Sequence, residues 1–202
     1  MQKCNSFFSN AYLNTNQLTN VILNLRSQER IIKKCLKKHK KSQIELYKLY
    51  CDAMFLVSLR IVRQKETAQE IMQDAFIIAF DKLDLYDAAK GSFGSWLKRI
   101  VVNQSISFLR KEKDIVFKSL ELVPELILES DVEENNALPE QYEKFKKGFA
   151  QLKTNYQVII NLHYIEGYDL EEIGQILDIS YANTRTMLSR ARQSLKKKVE
   201  LV

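Results

Sequence analysis

Glycine and proline are scarce in this sequence, which has five glycines and two prolines among 202 residues. An all-β protein needs many turns, which these two residues normally supply, so their scarcity argues against that class. Residues that favour helices dominate instead, and the 46% of hydrophobic residues suffices for folded cores. The composition therefore predicts an all-α protein, with one large domain or two small ones.

Cysteine and histidine are also few. The three cysteines, Cys4, Cys35 and Cys51, show no CxxC spacing, and only His39 and His163 could join them. This pattern argues against a zinc site, so we interpret the cysteines as free thiols in a reducing cytoplasm. No apolar run reaches the ~18 residues of a membrane span, and the N-terminus does not resemble a secretion signal. A soluble, cytoplasmic protein is expected.

Charge is distributed unevenly along the chain, although the formal net charge is only +6. Residues 1–113 carry +10, residues 114–145 carry −7, and residues 146–202 carry +3. Basic blocks of this size suit a polyanion such as nucleic acid. The acidic block would repel DNA, which indicates another task for it.

Two helical domains are predicted from the hydrophobic spacing, after an N-terminal extension over residues 1–25. The first domain, residues 26–113, begins with a short basic amphipathic helix and continues with three longer helices. Their starts carry capping signals, most of them with the capping-box spacing. These signals are Ser42 with Glu45, Thr67 with Glu70, and Ser92.

The second predicted domain, residues 139–202, follows an acidic segment, 114–138, that has no periodicity and is interpreted as a flexible linker. Four further helix starts are predicted there, and Gly167 is suited to the end of the second helix. The predicted starts are Pro139, Thr154 with Gln157, Asp169 with Glu172, and Ser180.

The last two predicted helices have the spacing of a helix-turn-helix, with a short helix, a three-residue turn and a longer basic helix. One face of the last helix, including Thr184 and Leu188, would pack against the short helix. The opposite side would offer Arg185, Thr186 and Arg190 to bases and phosphates in a major groove. The pattern alone also allows an ordinary helical hairpin with a solvated face.

Two long stretches resemble conserved regions of the sigma-70 family of bacterial transcription initiation factors. The stretch Glu45–Leu83, ELYKLYCDAMFLVSLRIVRQKETAQEIMQDAFIIAFDKL, resembles the family's second region, which continues in Gly91–Lys113 as GSFGSWLKRIVVNQSISFLRKEK. The stretch Tyr164–Val199, YIEGYDLEEIGQILDISYANTRTMLSRARQSLKKKV, resembles the fourth region. The two blocks, joined by a short linker without a third domain, look like the extracytoplasmic-function (ECF) group.

The resemblance implies a sigma factor that is not an enzyme, uses no cofactor or metal, and takes no small-molecule substrate. It implies binding to core RNA polymerase, through the clamp helices of the largest subunit and the flap, and to promoter DNA. A membrane anti-sigma factor, which often holds family members inactive, is a further partner that the resemblance suggests. The acidic linker matches the segment that family members thread through the RNA exit path of polymerase.

Site residues are carried over from the family by position. The −35 element would be read by the last helix and its cap, namely Ser180, Tyr181, Asn183, Arg185, Thr186, Ser189 and Arg190. The −10 element would be read and melted by a loop and the helix after it, namely Lys90, Gly91, Ser92, Phe93, Lys98, Arg99 and Asn103. Core polymerase would bind a mixed polar and apolar stripe, namely Gln73, Asp74, Ile77 and Asp81.

Some positions of the last helix depart from the family pattern. Asn183 and Thr184 stand where Thr and Val are common, and Met187 stands where Arg is frequent, which we interpret as the loss of one phosphate contact. Ser107, in the first domain, replaces a frequent Asp. DNA binding is still predicted despite these departures. What they affect is the −35 sequence that the last helix would recognise.

Two other classes of protein compete with this interpretation. A helix-turn-helix regulator that acts outside polymerase would explain the last two helices and leave the first domain unexplained. A metal-dependent nuclease could use Glu70, Asp74, Asp81 and Asp84 as ligands. These acids lie on or just after one helix, whereas magnesium sites usually collect acids from several elements.

Overall fold

The computed structural model describes residues 28–112, 117 and 140–201, and every regular element within those residues is helical. This confirms the predicted all-α fold class. The predicted extension over residues 1–25 and most of the predicted linker, 114–138, lie outside the described residues. The chain divides into two compact units, Met1–Tyr50 and Cys51–Val202, while the predicted domain bounds at 26–113 and 139–202 stay predictions.

The first unit contains helix α1, residues 28–36, and the beginning of helix α2, Lys40–Val62. Ile32, Cys35 and Leu46 are buried, as the amphipathic spacing predicts. Burial raises the pKa of the Cys35 thiol to about 11, and the nearby Glu45 carboxylate adds to the rise. Cys35 is a free cysteine.

The start of α2 differs from the prediction. Ser42 lies inside the helix, and its backbone N–H donates to His39 Nδ1 at 3.3 Å, while its hydroxyl lies 3.0 Å from the same nitrogen. An imidazole nitrogen thus takes the place of the expected hydroxyl cap. The helix starts earlier because His39 can satisfy an N–H group of the first turn that would otherwise have no partner.

The second unit begins with the upstream helices, which run from Cys51 to Glu112 and comprise the rest of α2, α3 (Lys65–Asp81) and α4 (Phe93–Glu112). A short 3₁₀ helix, Leu83–Leu85, follows α3. Their core is apolar apart from Ser58 and Ser105, which are fully buried and joined by a 3.2 Å hydrogen bond.

Capping signals were predicted with mixed success in these helices. Ser92 does cap α4, because its Oγ accepts from the Ser95 N–H at 3.1 Å. Thr67 instead lies inside α3, where its hydroxyl donates to Gln64 Oε1 at 3.3 Å. The N-cap predicted at Thr67 is therefore wrong by three residues, because Gln64 is the N-cap of α3 and makes no side-chain capping hydrogen bond.

The downstream helices of the second unit are α5 (Glu140–Ala150), α6 (Thr154–Ile160), α7 (Leu170–Leu177) and α8 (Tyr181–Glu200). A π-helical turn, Asn161–Ile165, extends α6. Gly167 ends this segment with φ +78°, a left-handed conformation that suits glycine, as predicted.

The predicted capping box at Thr154 is absent, because its partner Gln157 serves the preceding helix. Gln157 is buried, and its side-chain amide donates to the carbonyl oxygens of Phe149 and Ala150 at 2.9 and 3.1 Å. Both carbonyls lie in the last turn of α5, where no helical N–H follows to bond them, although the Phe149 carbonyl also accepts from the Leu152 N–H at 3.1 Å. Gln157 therefore stabilises the end of α5 rather than the start of α6.

Helices α5 and α8 approach closely at Gly148. A Cβ atom there would lie 2.8 Å from Val199 Cγ2 and 3.0 Å from the Val199 backbone nitrogen. Only a hydrogen fits at that spacing, so glycine lets the C-terminal end of α8 rest directly on α5.

Candidate nucleic-acid interface

The helix-turn-helix consists of α7, a turn at residues 178–180, and α8. Asp169 and Glu172 form a complete capping box at the start of α7, with backbone-to-carboxylate distances of 2.8 and 3.0 Å. Asp178 then adopts a left-handed conformation with φ 49°, and Ser180 caps α8 through the Asn183 N–H. Each of these starts lies where the sequence predicts it.

The turn between α7 and α8 is closed by small groups. A Cβ atom added at Gly174 would lie only 3.0 Å from the Ile179 carbonyl oxygen and 3.2 Å from Thr184 Oγ1. Thr184 is fully buried, and its hydroxyl donates to the Ser180 carbonyl oxygen at 3.0 Å. The departure from valine at this position thus costs no unsatisfied hydroxyl, because the preceding turn of α8 accepts it.

The predicted −35 residues lie on the accessible part of α8. Five of them are exposed: Ser180, Tyr181, Arg185, Ser189 and Arg190. Asn183 and Thr186 are half-buried, and the Thr186 hydroxyl donates to the Ala182 carbonyl oxygen at 2.9 Å. Arg185 and Arg190 are thus free of the core and available to phosphates or bases.

Met187 corrects one sequence interpretation. Its side chain is only 2% exposed and belongs to the core of the helix-turn-helix, beside the buried Leu188 and Ala191. A residue in that position points away from a ligand that binds the open side of α8. Met187 therefore fills the core and does not mark a lost phosphate contact.

The loop before α4 is ordered by its own side chains. Asp87 accepts from the Ala89 N–H at 2.9 Å, and its carboxylate lies 4.0 Å from the exposed Lys90 ammonium. Tyr86 donates its hydroxyl to the Gly91 carbonyl oxygen at 3.2 Å. Gly91 has φ +152° and no neighbouring atom within 4 Å of an added Cβ, so the backbone there is open to a ligand.

Phe93 was predicted to contact −10 DNA, but the structure buries it to 2% exposure. Its ring packs against Tyr86 and Trp96, with ring centroids 5.6 and 5.7 Å apart. A buried ring cannot stack on a base without moving, so Phe93 holds the loop in place from beneath. Lys90, Gly91 and Ser92 of the same loop are exposed.

Helix α4 carries the other predicted −10 residues, and two of them contact the downstream helices. Lys98 Nζ donates to the Glu166 carbonyl oxygen at 2.6 Å, and Arg99 Nη2 donates to Gln175 Oε1 at 3.1 Å. Asn103 is exposed. Glu166 and Gln175 were missed by the sequence analysis, because single polar residues near helix ends produce no periodic or spacing signal.

Glu166 is the most heavily contacted polar residue in this interface. Its side chain is 4% exposed and accepts from Arg60 Nη2 and Nε at 2.7 and 2.9 Å. Lys98 Nζ lies 3.7 Å from the other carboxylate oxygen. A buried carboxylate without a partner would be strongly destabilising. Here two cations, Arg60 and Lys98, compensate the charge of Glu166.

Two further groups in the interface have altered pKa values. Burial, followed by the nearby Glu166 carboxylate, raises the pKa of Tyr168 to about 12. Burial lowers the pKa of Arg63, whose Nη1 donates to Gln157 Oε1 at 2.8 Å. The Tyr168 hydroxyl is buried with no hydrogen-bond partner among the described residues.

The predicted polymerase-binding stripe is exposed on α3. Gln73, Asp74, Ile77 and Asp81 are all accessible, and Ile77 is 60% exposed. Asp74 and Asp81, which the nuclease alternative would also use, join no group of three potential metal ligands within the described residues. None of the described helices is long and apolar enough to cross a membrane.

The downstream helices contain a helix-turn-helix whose last helix has an accessible basic face. This arrangement is typical of a DNA-binding protein. Comparison with known families is more specific. Residues 46–115 match the family described as Sigma-70 region 2, and residues 136–195 match the one described as Sigma-70, region 4. Together these matches cover well over half of the chain.

Curated relatives agree with the family matches. The chain is 29% identical over 184 residues to the ECF RNA polymerase sigma factor SigW of Bacillus subtilis, covering 85% of this chain and 98% of SigW. It is 29% identical to the ECF RNA polymerase sigma factor SigM of the same species, covering 75% and 91%. The chain belongs to the sigma-70 family of RNA polymerase sigma factors and, within it, to the ECF group.

Solved structures share the fold. CnrH, in complex with the cytosolic domain of CnrY, matches with a TM-score of 0.51 and 17% identity, over 85% of this chain and 96% of CnrH. The sigma factor RpoE of Bartonella quintana, in complex with the anti-sigma factor NepR, matches with a TM-score of 0.51 and 20% identity, over 77% and 95%. The region 2 match disfavours a regulator that acts outside polymerase, since such a protein has no need of that region.

Proposed function

We propose that the chain is an alternative sigma factor that binds core RNA polymerase and directs it to a specific set of promoters. The observation that supports this most directly is the presence of regions 2 and 4 in one chain, with an accessible helix-turn-helix in the second. Sigma factors direct transcription without catalysing a reaction themselves. Polymerase supplies the catalysis, and the chain supplies promoter recognition.

The proposed division of labour follows the exposed surfaces. Helix α8 reads the −35 element, with Arg185 and Arg190 contacting phosphates or guanines. The loop Lys90–Ser92 and helix α4 read and melt the −10 element. A base that leaves the stack there would meet the open backbone of Gly91, and capture could offset a few kcal/mol of lost stacking.

The stripe of Gln73, Asp74, Ile77 and Asp81 is the proposed contact with core polymerase. An apolar side chain that is 60% exposed among carboxylates is better suited to a protein partner than to water. An anti-sigma factor is a further proposed partner, since the sigma factor RpoE of Bartonella quintana was solved with one.

Transcription with purified core polymerase on a genomic library tests the function. Mapped start sites should share upstream elements at a fixed spacing, and reactions without this chain should lack them. Random initiation, or no complex with core polymerase during co-purification, would argue for a regulator outside polymerase.

A matched pair of variants tests the polymerase surface. Ile77→Asp should weaken core binding by about thirtyfold, the scale of an interface hot spot near 2 kcal/mol. Leu85→Asp makes the same change at a side chain that is 68% exposed and outside the stripe, so its core affinity should stay at the wild-type level. Equal affinities for the two variants would remove Ile77 from the interface.

A further inference from the structure

Helix α1 and the start of α2 are strongly basic and have no part in the function proposed above. Residues 30–41 contain seven cations and no carboxylate, and we call these cations the basic segment. Its members are Arg30, Lys33, Lys34, Lys37, Lys38, Lys40 and Lys41. The basic segment carries +7, whereas the whole chain carries a formal net charge of +6. All the other residues together therefore carry −1, and the excess positive charge of the chain lies in this one place.

The basic segment faces solvent. All seven of its side chains are exposed. Along α1, the cations follow the spacing of one helix face, from Arg30 through residues 33 and 34 to Lys37 just beyond the helix end. Ile32 and Cys35, on the opposite side of α1, are buried. The packing of α1 thus directs a continuous positive face away from the core.

The turn into α2 extends this face at a cost in stability. Lys38 has φ 57°, a left-handed conformation that glycine adopts more readily. Lys40 and Lys41 then occupy the first turn of α2, which contains no acidic residue. The N-terminus of a helix carries partial positive charge, so cations are unfavourable there unless an anion is bound. Solubility alone would not require lysines at these positions.

The charge of the basic segment is not compensated within the described part of the chain. The ion pairs among residues 28–112 and 140–201 involve other cations, such as Arg60 with Glu166 and Lys144 with Glu140, and none involves the basic segment. Seven residues of helix, from Arg30 to Lys37, span about 10 Å. Duplex DNA carries about six phosphates over that length of its axis. Several cations of the segment can therefore reach phosphates of one duplex at the same time.

Duplex DNA fits this face better than an anionic membrane does. A helix that lies on a membrane inserts its apolar face between the lipids. The apolar side of α1 is not available for insertion, because Ile32 and Cys35 are buried in the protein. Contact with a phosphate backbone needs only the exposed cations.

We propose that the basic segment is a third DNA-binding surface, which holds the phosphate backbone of duplex DNA without reading its sequence. It lies apart in the chain from the residues assigned to the −10 and −35 elements, and it requires neither element in the DNA. The proposal therefore goes beyond the proposed function. Because its contacts are purely ionic, their contribution to affinity should fall steeply as salt increases.

Two triple variants of the full-length chain test this surface. The first combines Lys33→Gln, Lys34→Gln and Lys37→Gln on the exposed face of α1. The control combines Lys65→Gln, Lys82→Gln and Lys147→Gln, three exposed lysines outside the basic segment that have no assigned role. Both variants lose three positive charges, and glutamine favours helices about as well as lysine does. Circular dichroism should show unchanged helix content for both.

The measurement is the binding of two unrelated, fluorescent, random-sequence duplexes of about 30 base pairs, between about 50 and 200 mM salt. At the lowest salt, the α1 variant should bind both duplexes about a hundredfold more weakly than the wild type, because each lost phosphate contact costs about fivefold. The slope of log affinity against log salt should become shallower by about 2.7, or 0.9 for each lost contact. The control should keep the wild-type slope and stay within about threefold in affinity.

Three results would overturn the proposal. Equal losses for the two variants would attribute the effect to net charge, and a loss confined to one of the duplexes would show that the surface reads sequence. An unchanged slope for the α1 variant, together with lost binding to vesicles of about one-third phosphatidylserine in phosphatidylcholine, would assign the segment to membranes. Promoter-specific transcription is measured separately. Because the duplexes are random in sequence, a failure of either proposal leaves the other standing.

Discussion

The two surfaces proposed to read DNA differ in how accessible they are. On α8, Arg185 and Arg190 extend from a helix whose core face is buried and whose other side is open. On α4, Lys98 and Arg99 are equally basic but are bound by Glu166 and Gln175 of the same chain, with Lys98 half-buried and Arg99 still exposed. Basic residues on a helix are thus insufficient to define an available DNA surface, because the chain itself can occupy them.

The largest expected effect is on the open surface. Arg185→Ala and Arg190→Ala should each weaken binding of the free chain to a −35 duplex by about 1–3 kcal/mol if the arginine contacts a base, and should reduce the salt dependence if it contacts a phosphate. Titration of a duplex taken from a mapped promoter, at several salt concentrations, measures both quantities.

Arg192→Ala is the control for these variants. Arg192 is on the same helix, but it lines a groove together with Phe55 of α2 and Tyr142 of α5. Its loss should leave the −35 affinity within about twofold of the wild type, as for a surface change away from the ligand. If Arg192→Ala weakened binding as much as Arg185→Ala, the open side of α8 would not be the reading surface.

A smaller effect is expected on the covered surface of the free chain. Lys98→Ala should change the single-strand affinity of the free chain by less than about twofold, because Lys98 is already bound to Glu166 within the chain. In the complex with core polymerase the same variant should slow promoter opening by about fivefold, the scale of one lost phosphate contact. Permanganate footprinting over time measures the opening rate.

Lys82→Ala provides the matching control, since Lys82 is exposed just after α3 and has no assigned role in −10 recognition. It should open promoters at the wild-type rate. A free-chain affinity that fell for Lys98→Ala as steeply as for Arg185→Ala would contradict the contrast between a covered and an open surface.

How much of each surface the sequence predicts depends on the distance along the chain between the groups that form it. The capping box of α7 joins Asp169 and Glu172, three residues apart, and the pattern predicts it together with the turn and α8. The Arg60–Glu166 pair joins residues 106 positions apart, and the Lys98–Glu166 contact spans 68. No local pattern encodes such contacts, because they depend on how whole helices pack.

The same reasoning explains the local errors. Gln157 has the spacing of a cap for α6, yet it caps α5, because the end of α5 lies within reach only after folding. Phe93 is assigned to DNA contact by its position in the family, and Met187 is interpreted as a lost phosphate contact, yet both side chains are buried in the core. Position in a motif indicates which helix carries a residue, while burial decides which side of the helix is available.

The smallest expected effect concerns the scaffold under the open surface. Asp169→Ala removes one half of the capping box and should lower the free energy of unfolding by about 1 kcal/mol, because the Glu172 N–H loses its carboxylate partner while the backbone N–H of residue 169 keeps the Glu172 carboxylate. Urea denaturation followed by circular dichroism measures the loss. Well below the denaturation midpoint, −35 affinity should be unchanged, since the contacts of α8 with DNA do not include Asp169.

Glu171→Ala is the fitting comparison, because Glu171 is exposed in the same first turn but takes no part in the box. Its loss removes only a favourable interaction with the helix dipole, worth a few tenths of a kcal/mol at an exposed site. A difference between the two variants therefore isolates the hydrogen bonds of Asp169 from its charge. If both variants lost the same stability, α7 would be stabilised by the negative charge near its N-terminus and not by the hydrogen bond of the capping box.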